Sequence, residues 1–216
     1  MARSKSKSTK SASTTNKKSK SKAKSRSKSK VSRDERLVVR RMKLGDIGAI
    51  RRLQERCFPG VAPWREDQLR NHIRVFPEGQ IVVELDGELV ATSSSMLVEG
   101  ASFLDPHTYK QVSDHGNLGT HDPEGDTLYG LDIAVDPTVR GFRISRRIYD
   151  ARKQLVRDRK LRAIMIGGRA PGFKDHDQEL SFGDYVQAVV AKELRDPTVT
   201  AQLANGFTIR RTLPGY

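Results

Sequence analysis

Apolar residues recur along this chain at two spacings, every second position and every third or fourth. Together these spacings predict its elements. Leu131, Ile133 and Val135 alternate with Asp132 and Ala134, the period of a strand. Pro137 has no amide to donate and keeps Asp136 out of the helical region, so the strand ends there. From Ile144 the apolar positions fall at Ile148, Ala151 and Leu155, one helical stripe. Arg146, Arg147, Asp150, Lys153, Gln154, Arg157 and Asp158 fall on the other face, toward water. Ala163–Ile166 is a short apolar run closed by Gly167 and Gly168. Strand, turn, helix and strand in that order predict a right-handed crossover joining a parallel pair.

The flanking blocks extend this unit. Leu37–Arg40 reads as a short strand. Asp46 is a plausible N-cap for a helix to about Cys57, with Ile47, Ile50 and Leu53 on one face. After Pro59, Gly60 and Pro63 a second helix carries Leu69, Ile73 and Phe76 and stops at Pro77. Gln80–Leu85 and Glu88–Leu97 are strands joined by Asp86-Gly87, a two-residue hairpin signal. Residues 98–127 form a long polar connection. Its Asp105, His107, Asp114, His115, His121 and Asp122 follow no metal-ligand spacing, so no metal site is expected. Ser181 to Asp184 is a capping box ahead of an apolar helix. Asp196-Pro197 starts a short helix, and Phe207–Leu213 reads as a last strand.

Charge divides the chain unevenly. Of the formal +14, residues 1–30 carry 12 Lys or Arg and no acid, which leaves +2 on the rest. A Ser/Lys repeat buries no apolar surface, so residues 1–33 are expected to be a disordered tail ahead of one domain over 34–216. Two readings of the tail stay open, a solubilising segment or a weak, unspecific, salt-sensitive contact with nucleic acid. No apolar run follows it that would make a secretory signal or a membrane span. The single cysteine, Cys57, excludes an intramolecular disulfide and fits a reducing compartment, so a cytoplasmic location is expected. It reads as a packed thiol, with no histidine near it in sequence.

The turn that opens the central helix is Arg140-Gly141-Phe142-Arg143-Ile144-Ser145. Free amides and the positive end of the helix dipole favour an anion there, and Arg140 and Arg143 add charge-assisted donors. This turn resembles the pyrophosphate loop of the GNAT family of N-acetyltransferases, Gln/Arg-x-x-Gly-x-Gly/Ala after a Val-x-Pro strand end. Arg143 replaces the middle glycine, and Ser145 is a small stand-in for the last. Thr120–Gly130, Gly168–Phe173 and Asp196–Phe207 resemble, more narrowly, the acetyltransferase-like domain fused ahead of nitrilase-type carbon–nitrogen hydrolases.

The resemblance implies an α/β fold, a mixed twisted sheet with helices on both faces. It also implies that the chain stops short of the family's final strand and of any hydrolase, leaving an edge beside Phe207–Leu213 that aggregates or pairs. Acetyl-CoA would be the co-substrate, with its pyrophosphate on Arg140, Gly141, Phe142, Arg143, Ile144 and Ser145. The pantetheine arm and thioester carbonyl would lie on backbone groups of Ile133, Ala134 and Val135. Asp132 or Tyr129 would be the base, although Asp132 also reads as a solvent-facing strand residue. Tyr185 would reprotonate the thiolate, or serve only as a core aromatic, since no tyrosine precedes Gly206-Phe207. The acceptor would be a small-molecule or protein amine. The alternative is a non-catalytic acyl-CoA-binding module partnered with a carbon–nitrogen hydrolase.

Overall fold

The computed structural model describes residues 37–139, 143–213 and 215–216. The expected tail and three residues of the expected pyrophosphate loop (Arg140, Gly141 and Phe142) lie outside them. Five strands form one sheet in the order β1 (Leu37–Arg41), β2 (Ile81–Leu85), β3 (Glu88–Val98), β4 (Thr127–Val135), β5 (Ala163–Ile166). The first four are antiparallel neighbours, and β5 joins β4 in parallel, as the crossover requires. Asp86 and Gly87 close the β2–β3 hairpin with φ of 54° and 86°, the left-handed pair that a two-residue turn demands.

Alternation along the strands sends side chains to two faces, and each face has its own helices. On one face α1 (Ile47–Cys57) and α2 (Glu66–Val75) bury Ile47, Ile50 and Leu69 with Val82. On the other, α4 (Ile144–Asp158) buries Ile144 and Ile148 against Val83, Leu85 and Ala91. The connection after β3 is not structureless, because it contains α3 (Tyr109–Ser113), capped by the Thr108 hydroxyl on the Gln111 amide. Helices α5 (Phe182–Ala191) and α6 (Val199–Ala204) make a satellite cluster around Tyr185, Val189 and Val199. No described helix is long and apolar enough to cross a membrane.

Two local expectations need correction. Asp46 stands at the N-cap position of α1, but its side chain caps no amide of that helix. Asp46 ends a short 3-10 turn, and its carboxylate accepts from the Lys43 amide at 2.7 Å and the Arg40 guanidinium at 2.7 and 2.9 Å. Phe207–Leu213 joins no ladder. Phe207 packs edge-to-face on Tyr149 of α4, with ring centres 5.2 Å apart, and this anchors the segment on a helix. Among the described strands β5 is therefore the terminal one on that side.

Strand β4 ends in a charged knot. The Asp136 amide donates to Val90 O at 2.9 Å. Its carboxylate accepts from the Thr138 amide and hydroxyl at 3.0 and 2.7 Å and from Arg56 Nη2 at 2.6 Å. The Thr138 donors first, then Arg56, hold its pKa down to about 2. A carboxylate depressed by folding adds stability above its unfolded pKa and loses it as the pH falls through the folded value. The parent chain should thus unfold at higher denaturant than Asp136→Asn at pH 5. That difference should shrink between about pH 4 and pH 2. A constant difference across that range would contradict the knot.

Candidate functional site

The pairing of β4 changes in the middle of the strand. Against β3 the register runs Ser94↔Asp132 and then Ser95↔Gly130, so Leu131 is an extra residue, a β-bulge. Against β5 the pairing runs from Thr127↔Ala163 to Gly130↔Ile166 and ends at that bulge. Residues 131–135 therefore keep β3 on one side and have no strand on the other. The Asp136 amide faces β3, so by alternation the peptide groups of Ile133 and Val135 face the open side. Val135 O accepts there from Cys57 Sγ at 3.2 Å, and burial pushes that thiol's pKa up. Cys57 is packed, as expected.

The bulge also turns Leu131 and Asp132 to the same face, Leu131 against Val112 of α3 and Asp132 toward Gln54 of α1. Asp132 Oδ1 accepts from the Ser94 amide at 2.7 Å. Its Oδ2 accepts from Trp64 Nε1 at 2.9 Å and Gln54 Nε2 at 3.2 Å. Gln54 Oε1 in turn accepts the Trp64 amide at 3.0 Å, so α1 and the loop before α2 fix each other and the carboxylate. Asp132 is half-buried in the wall of a cleft of about 490 Å³, with Gln54, Trp64, Tyr109, Leu131 and Ile133. Burial first, and Asp132 second, raise the Tyr109 phenol far above its ordinary pKa, so it stays neutral beside that carboxylate.

On the opposite face α4 contributes Tyr149 and Arg152 to the same cleft. Arg152 is 1% exposed, and its Nη2 donates to Ser94 O at 2.9 Å and Asp132 O at 2.8 Å, tying the bulge to α4. Gly130 makes room for it. A Cβ there would lie 2.5 Å from Arg152 Nη1 and 3.0 Å from Ile166 Cγ2. Gln202 of α6 also lines the cleft.

The structure gathers some of the residues singled out from sequence and disperses others. Asp132 and Ile133 line the cleft, Ala134 is buried, and Val135 holds Cys57. Asp132 is not a solvent-facing strand residue, because three donors enclose it. Tyr129 borders an adjoining groove that shares Gln202 and Tyr216 with the cleft, with its hydroxyl 2.9 Å from His107 Nε2 and 3.1 Å from Tyr216 Oη. Tyr185 is buried in the satellite cluster and donates to Asp196 Oδ2 at 3.1 Å, away from the cleft lining. Ile144 is a core residue, Ser145 is half-buried, and Arg143 is exposed. Arg143 takes the left-handed conformation at φ 55° and ψ 33°, the backbone setting in which glycine is otherwise favoured.

Gln54, Arg152, Trp64 and Tyr109 are among the contributors missed by pattern alone. Gln54 lies four residues after Ile50 and Arg152 four after Ile148, each on an apolar stripe. That spacing was the available signal for both. Trp64 and Tyr109 lie at or beside loops, where periodicity gives none. Two of the three histidines of the long connection, His107 and His121, have side-chain hydrogen bonds within the fold. His121 Nδ1 accepts the Leu97 amide at 3.1 Å and its ring stacks on Phe76. Among the described residues, no group of three or more His, Cys, Asp or Glu is arranged to hold a metal.

Comparison with known proteins assigns this geometry to a family. Residues 47–174 match the model of the acetyltransferase (GNAT) family. "Probable hydrolase YhcX" of Bacillus subtilis (strain 168) is 38% identical over 183 residues, covering 85% of this chain but 36% of that protein. The chain thus spans about a third of that relative's length. "Uncharacterized N-acetyltransferase YkwB" of the same organism is 32% identical over 186 residues, 84% of this chain and 82% of that one. The loading GNATL domain of CurA from Lyngbya majuscula shares the fold, with a TM-score of 0.73 at 19% identity over 83% of this chain and 88% of that domain. The family match covers more than half of the sequence and spans the bulged, half-open β4, so this chain belongs to the GNAT acetyltransferase family.

Proposed function

We propose that this chain transfers an acyl group, acetyl in the simplest case, from acyl-coenzyme A to an amine. The observation that carries the reading is the open edge of β4 from Leu131 to Val135, which leads into the cleft where Asp132 is held. A thioester arm lying along that edge finds peptide groups of Ile133 and Val135 in place of a neighbouring strand, and a peptide N–H polarises its carbonyl. Asp132 takes a proton from the ammonium of the acceptor. The amine nitrogen then bonds to the carbonyl carbon, the C–S bond breaks, and the proton that nitrogen gives up on becoming an amide passes to the leaving thiolate, which becomes the free thiol. Trp64, Gln54 and the Ser94 amide hold Asp132 in position for this. They occupy three of its acceptor sites and leave capacity on Oδ1.

The anion site at the start of α4 supports the same reading. Its first turn carries no acid, and Arg140, Gly141, Phe142, Arg143, Ile144 and Ser145 would cradle the pyrophosphate. Coenzyme A and acetyl-CoA should therefore bind with similar affinity. Arg140→Ala should weaken both about ten- to hundredfold in calorimetry. Arg143→Gly relieves a left-handed residue whose side chain is exposed, so binding should hold or tighten. Weaker binding by Arg143→Gly would mean that its guanidinium clamps phosphate. The test of the reaction is a panel of small amines and peptides with acetyl-CoA, read as free thiol released above acceptor-free hydrolysis.

A second reading, an acyl-CoA-responsive module partnered with a carbon–nitrogen hydrolase, is favoured by the 38% identity to part of a hydrolase-named protein. It is supported if coenzyme A binds and no acceptor in the panel releases thiol.

A further inference from the structure

Arg152 has chemistry that acyl transfer from an uncharged acetyl group leaves unused. It is 1% exposed, yet only Nη2 is engaged, by two backbone carbonyls. Its buried Nε has no partner, and no carboxylate of the described residues pairs with it. Satisfying two carbonyls requires donors and not a charge, so a buried guanidinium costs more than that task needs. Its burial also lowers its pKa, a measure of how poorly the charge is compensated. The nearest acid, Asp132, turns its carboxylate to Gln54 and Trp64 on the other face of the sheet. Tyr149, beside Arg152 on α4, keeps its proton because burial raises its pKa.

The position of this charge is specific. Gly130 lets Nη1 lie against the β4 backbone at the last residue paired with β5, where the open edge begins. Arg152 lines the cleft from the α4 side, the same helix that starts at the proposed pyrophosphate site. The acceptor side is lined instead by Gln54, Trp64 and Tyr109. The geometry points to an acyl-CoA whose acyl group ends in a carboxylate, a dicarboxylic monothioester of the malonyl or succinyl kind, held through Arg152. The inference rests on the acyl-CoA reading above and names its donor class. A planar guanidinium with unused N–H groups meets a carboxylate with charge-assisted bonds, out of water, at no further desolvation cost to the protein.

Calorimetry on the full chain with coenzyme A, acetyl-CoA, malonyl-CoA and isovaleryl-CoA tests this, the last being a neutral branched counterpart of malonyl. Malonyl-CoA should bind about ten- to hundredfold more tightly than isovaleryl-CoA. In Arg152→Gln that ratio should fall to near one, whatever loss of coenzyme A affinity the two freed carbonyls bring. Should Arg152→Gln fail to fold, the ratio in the parent chain decides alone. Equal binding of the two thioesters by the parent overturns the inference and leaves the acyl-CoA reading standing. Loss of all coenzyme A binding overturns both. An amino acid preferred over its amide as acceptor, with no preference between thioesters, would move the carboxylate to the acceptor and overturn the donor assignment.

Discussion

Replacing Gly130 by valine is expected to lower the free energy of unfolding by about 3–5 kcal/mol, and to abolish binding in the cleft with it. A Cβ at 130 meets Arg152 Nη1 at 2.5 Å, Cζ at 2.8 Å and Ile166 Cγ2 at 3.0 Å. Arginine tips usually yield, but this one is 1% exposed and has little room to retreat. Moving it strands Ser94 O and Asp132 O, the two carbonyls of the bulge, and pushes β5 from the last rung of its ladder. Overpacking and two lost buried acceptors therefore add in one place. Gly45→Ala is the control, since a Cβ there meets nothing within 4 Å. Its unfolding midpoint in denaturant should stay close to the parent's. Similar behaviour of Gly130→Val and Gly45→Ala would show that the bulge does not depend on the Arg152 clamp.

Asp132→Asn should lower the rate of thiol release with amine acceptors by about 10²–10⁴-fold and leave the affinity for coenzyme A unchanged. The loss of an acceptor for Trp64 Nε1 and Gln54 Nε2 also costs stability, about 1–3 kcal/mol. Coenzyme A affinity therefore separates a base from a strut, because a purely structural residue would weaken binding together with the rate.

Most of the scaffold was legible because its signals are local. Alternation and short apolar runs gave β2, β3 and β5 within a residue or two, and alternation gave the second half of β4. Asp86-Gly87 gave the hairpin, and the Ile144 to Leu155 stripe gave α4. What stayed hidden depends on pairing across the sheet. Leu131, Ile133 and Val135 alternate without a break in sequence. Only the register against Ser94 and Ser95 reveals Leu131 as an extra residue that turns Asp132 toward α1. Arg152 stands on the apolar stripe four residues after Ile148, a place that its charge does not suggest. Phe207–Leu213 has the alternation of a strand, but alternation reports a side-chain pattern and supplies no partner edge. In the fold Phe207 is taken by Tyr149. Tyr129 and Tyr185 are reactive residue types in plausible stretches, and their hydroxyls are committed to His107 and Tyr216 and to Asp196.

The central claim is that the open edge of β4 receives the thioester arm, and amide hydrogen exchange with and without acetyl-CoA tests it most directly. Exchange in the segment from Leu131 to Val135 should slow on adding saturating acetyl-CoA, while β1 at the far edge of the sheet stays unchanged. Binding of acetyl-CoA with protection elsewhere and none over residues 131–135 would contradict the account.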